Sequence, residues 1–174
     1  MSGFVIWFTG LSGAGKSTIA EIVGRELEDR GMLVDYLDGD VVREHLSKGL
    51  GFSKEDRDTN IERIGWIASR IARAGGAVIV SAISPYAATR ARARAMVEEF
   101  APFVEVHVAT SVEECARRDI KGLYAKAIAG DLPEFTGVSD PYEEPESPEL
   151  RLDTEGRSPE ECAREVLEYV SVPA

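Results

Sequence analysis

Near its start the 174-residue chain reads Phe4-Val5-Ile6-Trp7-Phe8-Thr9-Gly10-Leu11-Ser12-Gly13-Ala14-Gly15-Lys16-Ser17-Thr18, and this segment is the strongest indication of its fold. Its first six residues are an apolar run typical of a buried strand. The residues from Gly10 to Ser17 fit the pattern G-x-x-x-x-G-K-S/T, and an amphipathic helical pattern begins directly after them. A strand, a glycine-rich loop and a helix therefore follow one another in the order that a phosphate-binding loop requires.

The residue types of this loop suit the binding of a nucleoside triphosphate. Glycines let the backbone wrap a phosphate with its N–H groups pointing inward, and the start of the helix adds positive potential. Lys16 is expected to reach the β- and γ-phosphates and Ser17 to bind a metal ion, which predicts ATP and Mg²⁺ as cofactors. The residues expected to bind the nucleotide are Gly10, Leu11, Ser12, Gly13, Ala14, Gly15, Lys16, Ser17 and Thr18.

The loop alone does not identify the reaction, because kinases, GTPases and motor ATPases share it. A GTPase usually carries an Asn-Lys-x-Asp motif, but the single asparagine of this chain, Asn60, is followed by Ile61. The length favours a small-molecule kinase, whose acceptor could be a nucleoside or a sugar acid. A regulatory module that binds ATP without turning it over is the alternative from another class of protein.

The rest of the chain alternates strand-like apolar runs with helical patterns, which predicts a parallel α/β sheet. The strand candidates are Phe4–Thr9, Leu33–Leu37, Ala77–Ser81, Val104–Val108 and Leu150–Asp153. The helix candidates are Lys16–Arg30, Lys54–Ala74, Tyr86–Phe100, 112–118 and a last helix from Ser158 to about Tyr169, and Ser111 and Ser158 are expected to be capping residues. We therefore predict one domain over residues 1–174 with the three-layer P-loop NTPase fold, in which a central, mostly parallel five-stranded sheet carries helices on both faces.

The charge of the chain is strongly negative and unevenly placed. Its 20 Lys and Arg residues stand against 31 Asp and Glu, which gives a net charge of −11. Residues 1–130 hold 17 basic and 18 acidic side chains, whereas residues 131–174 hold 3 basic and 13 acidic ones. The net charge argues against nucleic acid as a partner. The near-neutral first part can still form a local anion site.

Neither a membrane partner nor secretion is expected from the sequence. No apolar run approaches the ~20 residues that span a bilayer, and no basic segment precedes the first apolar run. Two cysteines, Cys115 and Cys162, are too few for a disulfide scaffold, so a reduced, cytoplasmic location is expected. Both lie in amphipathic helical patterns, which indicates buried thiols.

Two aspartates, Asp38 and Asp40, follow the second strand candidate directly. Ligands of parallel α/β sheets bind beyond the carboxyl ends of the strands, so both carboxylates are expected to face the phosphate loop. Asp40 could accept the proton of an acceptor hydroxyl or hold Mg²⁺. On spacing alone it could equally be the N-cap of a helix that begins at Val41.

Cationic and amide side chains follow in the next helical pattern. Arg57 and Asn60 share a helix face with Arg63 near it, and together with Arg43 they could hold an anionic acceptor. The alternative is a solvated face, because acidic residues are interspersed among them. Phe52, in the loop before this helix, could stack on a base or fill a gap in the core.

At these positions the chain resembles the adenylyl-sulfate kinases (APS kinases). The matching stretches, in family order, are Gly10–Thr18, Leu37–Arg43, Gly49–Ser53, Asp56-Arg57 with Asn60 and Arg63, Ser81–Tyr86, Lys121–Tyr124, Phe135–Gly137 and Asp140–Glu143. The resemblance implies transfer of a phosphoryl group from MgATP to the ribose 3′-hydroxyl of adenylyl sulfate in sulfate activation. The products would be 3′-phosphoadenylyl sulfate and ADP.

The resemblance also implies roles for individual residues. Arg117 would lie against the adenine of ATP, and Phe52 and Phe135 would sandwich the adenine of the acceptor. The implied catalytic residues are Asp40, Lys16, Lys121 and Ser84, and the implied metal ligands are Ser17 and Asp40. The implied acceptor-binding residues are Asp38, Asp40, Arg43, Phe52, Arg57, Asn60, Ile83, Ser84, Lys121, Leu123 and Phe135.

Several features of the family would bear on regulation and assembly. Lys121 lies in what resembles a mobile lid, around residues 118–137. Ser84 matches a serine that some members carry as phosphoserine, although a Ser-Pro turn also explains it. Members are usually homodimers, and the chain is similar to the kinase portion of fused sulfurylase–kinase proteins, so an ATP sulfurylase is an expected fused or cooperating partner. Set against the family pattern, the chain lacks positive charge at Ala87, which is followed by Ala88, and at Ala125, and it carries added acid in residues 131–134.

Overall fold

The computed structural model describes residues 2–170, so Met1 and residues 171–174, the ends of the predicted domain, lie outside the described residues. The strands are β1 (Phe4–Thr9), β2 (Val34–Asp38), β3 (Ala77–Ser81), β4 (Phe103–Val108) and β5 (Leu150–Leu152). They form one sheet in the order β2-β3-β1-β4-β5, and each neighbouring pair is parallel. The predicted five-stranded sheet is confirmed, and its described strands are all parallel rather than mostly so.

Helices connect the strands. They are α1 (Lys16–Asp29), α2 (Gly39–His45), α3 (Lys54–Arg73), α4 (Ala87–Glu98), α5 (Val112–Arg118), α6 (Leu123–Ile128) and α7 (Pro159–Val170). The five predicted helices are confirmed. The helix α2 entered only as the alternative in which Asp40 caps a helix from Val41, and α6 was not predicted, because seven and six residues are too few to display a helical apolar period. No helix within residues 2–170 is both long and apolar enough to cross a bilayer.

The predicted caps form to different degrees. At α7 the capping box is complete, because the Ser158 hydroxyl accepts from the Glu161 N–H at 3.1 Å and the Glu161 carboxylate accepts from the Ser158 N–H at 2.7 Å. At α5 the Ser111 hydroxyl accepts from the Glu114 N–H at 3.2 Å. The Glu114 carboxylate instead accepts from Arg117 on the same helix at 2.7 Å, so that capping box is half formed.

Apolar side chains cover both faces of the sheet. On one face Ile19 and Val23 of α1 and Val166 of α7 pack into a buried cluster with alternate residues of β1 and β4. On the other face Ile64 of α3 and Ala93 of α4 join a second buried cluster. The strands β1 and β3 place residues in both clusters and are therefore apolar on both sides, which is why they read as continuous apolar runs.

The helices on the two faces of the sheet leave a crevice at its carboxyl edge. The loop after β1 leads into α1 on one face, whereas the loop after β3 (residues 82–86, the β3 loop) leads into α4 on the opposite face. Since β1 and β3 are neighbours, their two loops diverge at the carboxyl edge of the sheet. Such a switch point is where open α/β sheets bind ligands.

Candidate active site

The phosphate loop begins with a glycine that no other residue could replace without movement. A Cβ on Gly10 would lie 2.6 Å from the carbonyl oxygen of Val108 on the neighbouring strand. At the other end Gly15 adopts φ 106° as the residue before α1, a left-handed conformation that favours glycine. The loop is thereby fixed between β4 and the start of α1, a helix N-terminus of the kind that binds phosphate oxygens.

Lys16 lies buried at the start of α1, where its Nζ donates to the carbonyl oxygen of Leu11 at 2.7 Å. Burial lowers the pKa of Lys16 to about 8, and the charges of Lys121, Asp38 and Asp40 also act on it. A buried ammonium with one neutral acceptor is poised to gain an anionic partner. The position is the one expected of the lysine that holds the β- and γ-phosphates.

Three oxygen-bearing side chains meet beside this lysine. The Ser17 hydroxyl donates to the Asp38 carboxylate at 3.2 Å and lies 3.2 Å from the Ser81 hydroxyl. Hydroxyl and carboxylate oxygens are the donors that Mg²⁺ prefers. Within residues 2–170 no group of three or more His, Cys, Asp or Glu side chains is arranged to hold a metal ion. The Ser17 hydroxyl and the Asp38 carboxylate are oxygen donors of the type that fits a magnesium ion.

Asp38, and not Asp40, is the N-cap of α2. One Asp38 oxygen accepts from the N–H groups of Asp40 and Val41 at 2.9 and 3.3 Å. The prediction of an N-cap at Asp40 is therefore wrong, because the helix begins two residues earlier than its apolar residues indicate. The Asp40 carboxylate is left free of the backbone, and Lys121 donates to it at 2.7 Å. Both side chains of this pair are exposed, so the pair costs little to separate.

A buried arginine holds the segment of residues 134–143, which we call the 134–143 segment. Arg57 is 7% exposed and donates to the Thr136 hydroxyl at 2.7 Å and to the Glu134 carbonyl oxygen. Its guanidinium also lies 3.1 Å from the Asp140 carboxylate. Arg57 is thus engaged by the chain itself, which the interpretations as an acceptor ligand or as a solvated face did not anticipate.

Asn60 is 4% exposed on the same helix, and its Oδ1 is buried without a hydrogen-bond partner among the described residues. An unsatisfied buried acceptor is costly and is rare in native proteins. The atom therefore marks a position where a ligand can donate a hydrogen bond. Arg63, one turn further on, is exposed and donates to the Leu46 carbonyl oxygen at the end of α2, so it supports that helix.

The two candidate aromatic residues have different environments. Phe52 is 55% exposed, and the Arg43 guanidinium lies 4.5 Å from its ring centre while donating to the Gly51 carbonyl oxygen at 2.8 Å. Phe135 is half-buried, and its ring meets Tyr124 edge-on at 4.9 Å between centroids. Phe52 is therefore available to stack on a ligand and does not fill the core.

Ser84 occupies a strained turn in the β3 loop. Its φ is 44°, and its buried hydroxyl accepts from Trp7 Nε1 at 3.0 Å and donates to the Ala82 carbonyl oxygen at 3.2 Å. The neighbouring Ile83 carbonyl oxygen accepts from the Thr9 hydroxyl at 2.6 Å. The Ser84 hydroxyl is therefore hydrogen-bonded to Trp7 and Ala82 within the fold.

The remaining predicted residues lie on α1, α5, α6 and α7. Arg117 is exposed and pairs with Glu114 at 2.7 Å, and Leu123 is the half-buried first residue of α6. Thr18 is exposed at the start of α1. Cys115 and Cys162 are free and buried, as predicted.

Sequence reasoning missed several residues that shape the site. Tyr124 donates its hydroxyl to the Ser12 carbonyl oxygen at 2.6 Å and so ties α6 to the phosphate loop. Tyr142 bonds the Thr9 hydroxyl at 2.8 Å, beneath the same loop. Both tyrosines belong to the quoted resemblance stretches, but nothing in the sequence shows which distant residues they contact.

Comparison with known proteins identifies the family. The model of the Adenylylsulphate kinase family matches residues 2–153. A probable bifunctional SAT/APS kinase 2 from Sorangium cellulosum is 56% identical over 96% of this chain, which spans 28% of that longer protein. An adenylyl-sulfate kinase from Deinococcus deserti is 52% identical over 99% of this chain and 94% of its own length.

Solved structures agree with the sequence relatives. The Mycobacterium tuberculosis APS kinase CysC in complex with AMPPNP and APS is 45% identical, with a TM-score of 0.94 over 97% of this chain and 98% of its own. A hexameric APS kinase from Thiobacillus denitrificans is 42% identical, with a TM-score of 0.76 over 97% of this chain and 29% of its own. The match spans both the phosphate loop and the acceptor side of the crevice, and the chain belongs to the adenylylsulphate kinase family.

Proposed function

We propose that this chain transfers the γ-phosphoryl group of MgATP to the ribose 3′-hydroxyl of adenylyl sulfate, which yields ADP and 3′-phosphoadenylyl sulfate. The observation that carries the proposal is the meeting of Lys121 with Asp40 beside the buried Lys16, whose pKa is affected by both of their charges. A phosphate-binding cation, a mobile cation and an exposed carboxylate therefore converge at one point of the crevice. That is the set of groups needed to pass a phosphoryl group to a hydroxyl.

On the nucleotide side the chain places positive groups against the phosphates of ATP. The phosphate-loop N–H groups and Lys16 hold the β- and γ-phosphates, and the exposed Arg117 exchanges its surface pair with Glu114 for a position against the adenine. Ser17 and Asp38 would hold Mg²⁺, with Asp40 nearby, and the bound ion would neutralise charge on the phosphates. Asp38 joins Asp40 in this role because the Ser17 hydroxyl contacts Asp38.

On the acceptor side Asp40 has the chemistry of a general base. The acceptor oxygen attacks the γ-phosphorus, the bond to the β-phosphate oxygen breaks, and the hydroxyl proton passes to the Asp40 carboxylate. Lys121 leaves Asp40 for the transferring phosphoryl group, whose negative charge it stabilises. Asn60 accepts a hydrogen bond from the acceptor, Arg43 offers its guanidinium to the phosphosulfate, and Phe52 stacks on the acceptor adenine.

The proposed lid is shorter than the sequence predicts. The sequence predicts a mobile lid around residues 118–137, and Arg57 bonds the last part of that range to α3 through the Glu134 carbonyl and Thr136. We place the end of the moving part before Glu134. Lys121 and α6 then move on their own, released when Tyr124 leaves the Ser12 carbonyl.

The experiment is ADP release from ATP with and without adenylyl sulfate, followed by a panel of nucleoside and sugar-acid acceptors. The proposal expects release that depends on adenylyl sulfate and exceeds that with every other acceptor. Faster turnover with another acceptor would identify a different small-molecule kinase. Saturable ATP binding without acceptor-dependent release would identify a regulatory module, and either result would overturn the proposal.

Nucleotide binding should take up protons above pH about 8. Burial lowers the pKa of free Lys16 to about 8, so this lysine is largely neutral at pH 9 and must be reprotonated when phosphate binds. Calorimetric titrations in two buffers of different ionisation enthalpy should give little uptake near pH 7 and close to one proton near pH 9. In Lys16→Arg the guanidinium stays charged, so the difference should vanish. Equal uptake at both pH values would contradict the assignment.

We further propose a cytoplasmic homodimer whose substrates are ATP and adenylyl sulfate. The reduced, buried cysteines support the location. The relative from Sorangium cellulosum supports an ATP sulfurylase as the fused or cooperating partner. Light scattering measures the mass of the assembly in solution, and the mass of a hexamer would contradict the proposed homodimer.

A further inference from the structure

We propose that Arg90 is a positioning residue for the acceptor, because its guanidinium joins the two segments that border the acceptor side of the crevice. The inference rests on the proposed function. Arg90 lies on α4 and is 3% exposed, and it belongs neither to the phosphate loop nor to the residues that face the acceptor. A fully buried arginine needs a partner for each of its donors, so its contacts show what it holds.

Its donors reach three different parts of the chain. Nε donates to the Glu105 carboxylate on β4 at 3.1 Å, which balances the buried charge. Nη1 donates to the Ser84 carbonyl oxygen in the β3 loop at 2.7 Å. Nη2 donates to the Glu143 carbonyl oxygen in the 134–143 segment at 2.7 Å. One planar group therefore sets the distance between the β3 loop and the 134–143 segment.

The Ser84 turn needs this support. A serine at φ 44° is in the left-handed region and persists only where its surroundings hold it. Its hydroxyl is held by Trp7 and its carbonyl by Arg90. Ile83, the preceding residue, is one of the residues that we expect to border the acceptor. A shift of the turn therefore shifts the acceptor pocket.

The backbone and side chain of Glu143 also attach the 134–143 segment to the β3 loop and to the start of α4. The Glu143 N–H donates to the Pro85 carbonyl oxygen at 2.8 Å, and the Glu143 carboxylate accepts from the Ala87 N–H, the first residue of α4, at 3.1 Å. Phe135 lies at the other end of the segment, where Arg57 holds it through Thr136 and Asp140. The segment is therefore fixed by a buried arginine at each end, and the acceptor-side aromatic residue lies at the end that Arg57 holds.

The test is Arg90→Lys, with Arg94→Lys as the matched control. A lysine keeps the charge opposite Glu105 but cannot donate to both carbonyls in the arginine geometry. Arg94 lies one turn further along α4 and also faces Glu105, at 3.7 Å, but its other partners are Glu98, Phe103 and Glu149, outside both segments. We expect Arg90→Lys to raise the KM for adenylyl sulfate by about tenfold or more with the Kd for ATP within about twofold, whereas Arg94→Lys changes neither by more than about twofold.

The outcomes separate the two proposals. Wild-type protein without acceptor-dependent ADP release would overturn the proposed function, irrespective of the variants. With active wild type, an unchanged acceptor KM in Arg90→Lys, or an equal rise in the ATP Kd, would overturn the positioning role. If Arg90→Lys does not fold, the double variant Arg90→Gln with Glu105→Gln removes both buried charges. It should show the same selective rise in acceptor KM, and an unselective change would contradict the inference.

Discussion

Replacing Lys16 with methionine should lower acceptor-dependent ADP release by about 10²- to 10³-fold, the loss typical of removing one preorganised donor from a transferring group. Lys16 is buried beside the point where Asp40 and Lys121 meet, and its single neutral acceptor is the Leu11 carbonyl oxygen. No other described cation is placed to replace it inside the phosphate loop. The measurement is the steady-state rate of ADP release with saturating adenylyl sulfate.

The same substitution should not weaken the fold. Because the fold lowers the pKa of Lys16 from 10.5 to about 8, it disfavours the charged side chain by about 3 kcal/mol at neutral pH. This penalty is present below pH 8 and disappears as the pH rises toward 10.5, so methionine should raise the free energy of unfolding most at neutral pH. Denaturant titrations of the wild type and of Lys16→Met at pH 7 and about pH 10 measure this difference in the free energy of unfolding. An inactive variant with a lower unfolding free energy would instead indicate a damaged fold.

Replacing Asp40 with asparagine should reduce turnover by about 10²-fold or more while the Kd for ATP stays within about twofold. The Asp40 carboxylate has no part in capping α2, because Asp38 performs that role. It contacts Lys121, so the substitution removes both the proposed base and the partner of that lysine. Single-turnover rates and fluorescence titration with a nucleotide analogue separate the two quantities.

The control for Asp40 is Glu44→Gln, an exposed carboxylate on the same short helix. It should leave turnover and ATP affinity unchanged, since α2 keeps its cap and the charge near Lys121 is preserved. Equal losses of turnover and of ATP binding in Asp40→Asn would show that Asp40 supports the nucleotide site and not the chemistry.

The parts of the fold that depend on neighbouring residues were predictable from the sequence. The run from Phe4 to Thr9 and the helix from Lys16 onward follow directly from apolar periodicity, and the complete capping box at Ser158 follows from a glutamate three residues later. The carboxyl-edge position of Asp38 and Asp40 followed from the parallel sheet. These features reflect local preferences that agree with the final fold.

Contacts between distant segments were not predictable. Lys121 and Asp40 are 81 residues apart, and Arg57 is 79 residues from Thr136, yet each pair is within hydrogen-bond distance. The sequence around a helical arginine does not show whether the side chain binds a ligand, holds a loop as Arg90 does, or supports a helix end as Arg63 does. The difference lies in which carbonyls the fold brings to it, and a single sequence does not encode that locally.

In the proposed reaction the phosphoryl group moves from ATP to the 3′-oxygen of adenylyl sulfate. The most direct measurement is the phosphorus NMR spectrum of adenylyl sulfate incubated with the protein, ATP and Mg²⁺. The proposed reaction predicts a new phosphomonoester signal coupled to the ribose H3′, growing in proportion to ADP. A monoester coupled to another ribose proton, or ADP formed only with inorganic phosphate, would contradict it.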